Sequence, residues 1–395
     1  MLALVGTAFG ATSGCADPPE ARHGRQANAR RVRHHTVSPG GTADFTTITD
    51  AISAASSGDT ITVGAGAYYG SIDFSGKTLN IQSSDGAAAT TIYASPGHPI
   101  VSVGHGEGPG TILDGFTLSG GGSALEPAID QQFASLTLKN DIITGTSGTN
   151  TIYARSSFIV LDHVTVDGTN TTQPEEVGGG SLIYARRGEA IVKDSDITCG
   201  SIGMGYQMDH GSAMVDGSTF HCAGGTAVSI FHSQGRVQRV TLEGVLHVEN
   251  ETTGSEPTVV EGSLLLGGVL GYYSWVQLHN VVVKGDVNAS YVQLSAINTV
   301  FTGAACAINA SASSVSVSYS NFYGNTANAC GFSDPSASNG NFTTNPDFVG
   351  ADDYHPASSS PLIDAGSSAS AYTDTDGSRS DVGAYGGPFT PDGGW

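Results

Sequence analysis

The chain has 395 residues; 55 are glycine and 13% are charged, about half the usual globular share of roughly 25%. So little charge cannot cover many surface helices, and the composition suits short strands joined by tight glycine turns. The net charge of −21 is spread along the chain rather than blocked, which argues against nucleic acid as a partner, since phosphate binding needs clustered lysine and arginine. At this length two compact domains compete with one elongated repeat domain, which can grow without enlarging a single core.

Taken in chain order, residues 1–14 are apolar and rich in small residues, and they end in Thr12-Ser13-Gly14-Cys15. This segment resembles a bacterial lipoprotein signal, which implies an exported chain anchored to the cell envelope through lipidated Cys15. No lysine or arginine precedes the apolar run, and Thr12 stands where leucine is usual. An ordinary secretory signal therefore reads the same residues. No later stretch has the 18 or more apolar residues of a spanning helix. Residues 16–40, with Arg22, Arg25, Arg30, Arg31, Arg33, His34 and His35, read as a disordered polar tether.

A short helix is expected next, with Ile48, Ala51, Ile52 and Ala55 on one face, running into a strand and capping the repeat region. From about residue 110 one phrase recurs: LDGFTLSG (113–120), LKNDIITG (138–145), LDHVTVDG (161–168), VKDSDITCG (192–200) and onward to VSYSNFYG (317–324). The closing glycines lie about 23 residues apart, a period that marks a solenoid of short strands. The leucine-rich-repeat frame is absent, so the expected fold is all-β: a right-handed parallel β-helix, one domain over 41–395, with a helical N-terminal cap and an irregular C-terminal cap from about 340. A monomer is expected.

A second short strand lies between the phrases, as in AIDQQ (128–132), TIYAR (151–155), LIYAR (182–186) and AVSIFH (227–232). Its aliphatic residues alternate inward and its polar residues outward. Cys199 and Cys222 each stand seven residues after the opening valine of their phrase. Stacked coils bring them within disulfide reach. Aligning ACAIN (305–309) with ACGFS (329–333) pairs Cys306 with Cys330 in the same way. Cys15 is left over.

Residues 36–76, with the cadence DFTTI…AI…GDTI, resemble the N-terminal cap of pectin-lyase-like β-helix proteins. Residues 345–388, with SPLIDAG and DVGAYG, resemble the C-terminal section of secreted bacterial members. The resemblance implies the fold; it does not imply one activity, because this fold hosts lyases, hydrolases, esterases, epimerases and proteins without chemistry. The signatures of the methylesterases and polygalacturonases are missing. Tyr206-Gln207-Met208-Asp209-His210 only loosely echoes the epimerase string.

The resemblance also implies that the short strand forms a substrate groove. Stacking puts Asp130, Tyr153, Tyr184, Gln207, Ser229, His247 and Asn288 in one outward column. Two residues on, Gln132, Arg155, Arg186, Asp209, Phe231 and Glu249 form another, followed by Arg187, His210 and His232. The partner this chemistry fits is an acidic polysaccharide. Tyr153, Arg155, Arg187 and Glu249 are candidate binding residues, since arginine pairs with uronate carboxylates. Tyr184, Arg186, Asp209, His210 and His232 are candidate catalytic residues of a lyase. Asp209 and Glu249 are the alternative carboxylate pair of a glycosidase. A non-catalytic adhesin or envelope scaffold is the competing function, because outward polar ladders also stabilise sheets. No cofactor is required. Asp374 and Asp376, with Asp381 nearby, resemble the start of a Ca²⁺ loop, although a plain turn accounts for them equally.

Overall fold

The computed structural model describes residues 31–94, 97–123, 126–148, 150–169, 180–200, 203–250 and 256–391. The expected signal segment, Cys15 and most of the expected tether lie outside them. Among the described residues no helix is long and apolar enough to cross a membrane.

Each coil carries three short strands, and every pairing between strands is parallel to its counterpart one coil away, as Ile152–Arg155 pairs with Ile183–Arg186. Two of the three faces merge into a 23-stranded sheet and the third forms a 12-stranded sheet. The chain is a right-handed parallel β-helix, the hand that parallel crossovers take. The local reason is strict period-two alternation. On the third face Ile152, Ile183, Tyr206, Val228 and Leu246 stack inward in register and are fully buried. Aliphatic columns of this kind supply the burial that a flat strand cannot obtain alone.

The corners are built from backbone that favours few residues. Between the first and second faces, residues such as Asn140, Asp194 and Asn298 adopt positive φ, which asparagine and aspartate tolerate. The N–H that follows such a corner is then satisfied from the next coil. Val164 donates to Ser195 Oγ at 3.0 Å, and Ser195 donates its own N–H to Ser218 Oγ at 3.1 Å. Buried Asp141 does the same for Phe116, at 2.8 Å.

The N-terminal helix spans Ile48–Ala54; Thr47 caps it by accepting from Asp50 N–H at 3.1 Å. Ile48, Ala51, Ile52 and Ala55 are buried, as the spacing requires. His34–Val37, expected within the disordered tether, is instead a strand that pairs with Thr60–Val63. Val37 supplies its inward residue, so the ordered helix begins before residue 40.

Two disulfides join coils. Cys199–Cys222 has Cα atoms 5.0 Å apart, and its register is the expected one, since Thr198 faces His221. Cys306–Cys330 also forms, with Cα atoms 6.3 Å apart. Here the expected alignment is three residues off: the ladder sets Cys330 opposite Asn309 and Cys306 opposite Ala327.

The C-terminal section packs along the side of the helix rather than only over its end. Tyr354, Leu362, Val382 and Ala384 cover the outward residues Leu264, Val282 and Val300 of the second face. Corner asparagines clamp it: Asn280 Nδ2 donates to Ser380 Oγ at 3.0 Å and to Asp381 O at 2.9 Å, and Asn298 Oδ1 accepts from Ser367 N at 2.7 Å. Gly387 has φ +76, and a Cβ there would lie 2.7 Å from Asn280 Oδ1. The clamp requires glycine on both counts.

Candidate functional site

The outward columns of the third face stand as the repeat predicts. Asp130, Tyr153, Tyr184, Gln207, Ser229 and His247 are consecutive register partners, and so are Gln132, Arg155, Arg186, Asp209, Phe231 and Glu249. One coil escaped the sequence reading: Val269–Tyr272 lies between the coils of His247 and Asn288, adding Leu270 and Tyr272 to the columns. Its Val-Leu-Gly-Tyr places aliphatic Leu270 in the first column, where the neighbouring coils carry His247 and Asn288.

Several strands of this face end in a corner at positive φ held by a residue other than glycine: Phe133, Ser156, Arg187, His210 and His232, and later Tyr273 and Tyr291. Left-handed backbone at bulky residues costs on the order of 1–2 kcal/mol each. Here His210 and His232 stand beside Asp209 of the second column, and Arg187 holds the same corner position one coil earlier, exposed.

The columns converge at Asp209, which is only 7% exposed although its position points outward. Four neighbours cover it. The Tyr184 hydroxyl donates to Oδ2 at 3.1 Å. Arg186 Nε lies 3.1 Å from the same oxygen, an ion pair rather than an aligned hydrogen bond. The other oxygen, Oδ1, meets His210 Nδ1 in a short contact, and His232 Nδ1 lies 3.9 Å away. The two imidazoles pack with ring centroids 4.6 Å apart. Burial, then the Asp209 charge, pushes the Tyr184 hydroxyl up to about 12, so it is protonated at neutral pH.

The flanks are aromatic and charged. Arg155 lies over the exposed Phe133 ring, 5.9 Å from its centroid, a weak cation–π contact that holds the guanidinium at the surface. Tyr153 and Tyr184 are ring neighbours at 5.7 Å. Glu249 Oε2 lies 3.3 Å from His247 Nε2, and burial holds that imidazole below its ordinary range against the opposing Glu249 charge. Tyr272 meets His247 edge-on. Asp209 and Glu249 stand two coils apart, with Phe231 between them in the register.

Asp374, Asp376 and Asp381 line one cavity of about 570 Å³ in the C-terminal section, with His355, Asp364 and Tyr385. Their carboxylates hold turns together. Asp374 accepts the N–H of Asp381 at 3.0 Å and that of Gly387; Asp381 accepts Asp364 N–H at 2.7 Å; Asp376 accepts Ser378 N–H at 2.8 Å. Burial pushes Asp374 up to about 6 and raises Asp381 as well. These hydrogen bonds commit one oxygen of Asp376 and one of Asp381 to the turns, and no catalytic step is routed through calcium.

Among the described residues three groups bring carboxylate and imidazole atoms close enough to share an ion: Asp209 with His210 and His232, Asp73 with His105 and Glu107, and Asp162 with His163 and Asp194. The first is the convergence point of the two columns.

No family profile matches the chain, and no curated protein does. Among solved structures, the crystal structure of pectate lyase Pel9A aligns over 91% of this chain and 97% of that one, at 13% identity and a TM-score of 0.44. The alignment transfers no residue role. The parallel ladders themselves define the class, a right-handed parallel β-helix.

Proposed function

We propose that the third face binds an acidic polysaccharide and cleaves it by β-elimination. The observation that carries this reading is the convergence of Tyr184, His210 and His232 on buried Asp209, with Arg155 in the adjoining register and exposed Arg187 at the corner after Arg186. Cationic side chains are scarce in this acidic chain, and three arginines stand within two adjacent coils here.

Arg155 and Arg187 pair with a uronate carboxylate and draw charge from the adjacent carbon. An imidazole of the His210–His232 pair takes the proton from that carbon. The electron pair forms the carbon–carbon double bond as the glycosidic carbon–oxygen bond breaks. Tyr184, held protonated, gives its proton to the leaving oxygen. Asp209 orients the imidazole and the hydroxyl, as the third member of a catalytic triad does. Arg186 balances the buried carboxylate charge. The two disulfides support export, because such bridges persist in oxidising compartments; anchoring at Cys15 rests on the sequence alone.

A second reading, glycan binding without turnover, is favoured by one observation: the columns satisfy themselves. Gln132 donates to Asp130 at 3.1 Å, as Tyr184 does to Asp209. A panel of uronic-acid polysaccharides separates the two. Unsaturated products indicate cleavage; retention on immobilised glycan without products indicates binding alone.

A further inference from the structure

We infer that Asp209, His210 and His232 form a binding site for one divalent transition-metal ion. The three donor atoms, a carboxylate oxygen and two imidazole nitrogens, lie within 4.8 Å of one another. One carboxylate and two imidazoles on one side, open on the other, is a set that suits zinc, cobalt, nickel or iron rather than calcium. The carboxylate is held in place for it. Tyr184 and Arg186 both engage Oδ2, which leaves Oδ1 turned toward the two imidazoles. Such outer partners fix a ligand's orientation and sharpen affinity. The imidazoles are brought together by the fold: His210 and His232 occupy the same corner position on adjacent coils, both at positive φ, and each backbone N–H is anchored to the next coil, at Phe231 O and Glu249 O. Asp209 is buried while His210 is exposed, so a bound ion keeps coordination positions open to solvent.

The other two groups are built differently. Both Glu107 oxygens accept backbone N–H groups, from Gly76 and His105 at 2.8 Å each. Asp162 is paired with Lys193 at 2.9 Å, a cation that repels another. The Asp209 site also faces a cation, Arg186, so the ion it takes is exchangeable rather than structural. With the ion bound, the imidazole lone pairs are occupied and cannot accept a proton. The site therefore stands whether or not the groove turns over a glycan, and if it does, the ion inhibits.

The test is titration of the chelator-treated protein with Co²⁺, read by the visible absorption of the bound ion and reversed by Zn²⁺. The expected result is one site per chain, lost in Asp209→Asn and in His232→Ala and intact in His34→Ala. Tyr184→Phe, which removes an outer partner and no ligand, weakens affinity about tenfold and carries the test should the ligand variants fail to fold. Absence of cobalt absorption overturns the proposal. So does absorption lost with His34 but kept without Asp209 or His232, or affinity unchanged in Tyr184→Phe. Because the readout is spectroscopic, it succeeds or fails separately from turnover.

Discussion

The Tyr184 hydroxyl donates to Asp209 Oδ2 across one coil boundary, at 3.1 Å. Burial, then the Asp209 charge, raises the tyrosine hydroxyl, and the contact engages the same carboxylate that meets His210. Tyr184→Phe therefore lowers kcat by about 10²–10⁴, the usual contribution of a positioned proton donor, with KM nearly unchanged. Steady-state kinetics on a uronate polymer check this; an unaltered kcat contradicts the assignment.

Arg187 sits in left-handed backbone at φ 54. Glycine there relieves strain on the order of 1 kcal/mol, so Arg187→Gly raises the urea midpoint while Arg187→Ala does not. Both weaken binding of acidic glycan and raise KM. A glycine variant that is less stable, or that binds as well as the parent, removes the reason for placing a strained arginine at this corner.

The Cys199–Cys222 bridge closes a span of 23 residues between stacked coils. Loop-closure entropy for that span contributes about 3 kcal/mol. Replacing both cysteines by alanine lowers the guanidinium midpoint accordingly, and reductant added to the parent protein, which also opens Cys306–Cys330, lowers it at least as far. Equal midpoints with and without reductant would falsify the bridge.

Burial raises Asp374 to about 6 in the folded chain, with the Asp381 charge adding to it. The unfolded value lies near 3.8. Between those values the folded state holds a proton that the unfolded state releases. Its stabilisation is thus complete below the unfolded value and lost as pH rises through about 6. Asp381 shifts in the same direction. Limited proteolysis of the C-terminal section should run slower at about pH 5 than at neutral pH, once corrected for the protease's own profile. Asp374→Asn should flatten that difference; faster cleavage at the lower pH speaks against it.

The fold was legible because it rests on local periodicity. Alternation along each strand and the recurring glycine set the inward columns, and the coil-to-coil register followed from Ile152–Arg155 and Ile183–Arg186 through Asp209. What escaped has a physical reason in each case. His34–Val37 pairs with Thr60–Val63, a contact between chain-distant strands that composition does not encode. Val269–Tyr272 carries aliphatic Leu270 in the first column. Alignment of Cys306 with Cys330 by sequence ignores the ladder, which sets Cys330 opposite Asn309. At the site, the columns were visible but the closure of Tyr184, Arg186, His210 and His232 over one carboxylate was not, because it depends on positive φ at the corner, which a string such as FHS or RRG does not announce. The tail aspartates show the same limit: alternating carboxylates read alike whether they serve an ion or a turn, and here they accept backbone N–H groups.

The central claim is elimination chemistry on the third face, and one measurement tests it most directly: ultraviolet absorbance of the reaction mixture while the purified protein acts on a panel of uronic-acid polysaccharides. The account predicts a steady rise from unsaturated products on at least one polymer, abolished in Asp209→Asn and reduced in Tyr184→Phe. A flat trace on every polymer, or a rise that survives Asp209→Asn undiminished, contradicts it.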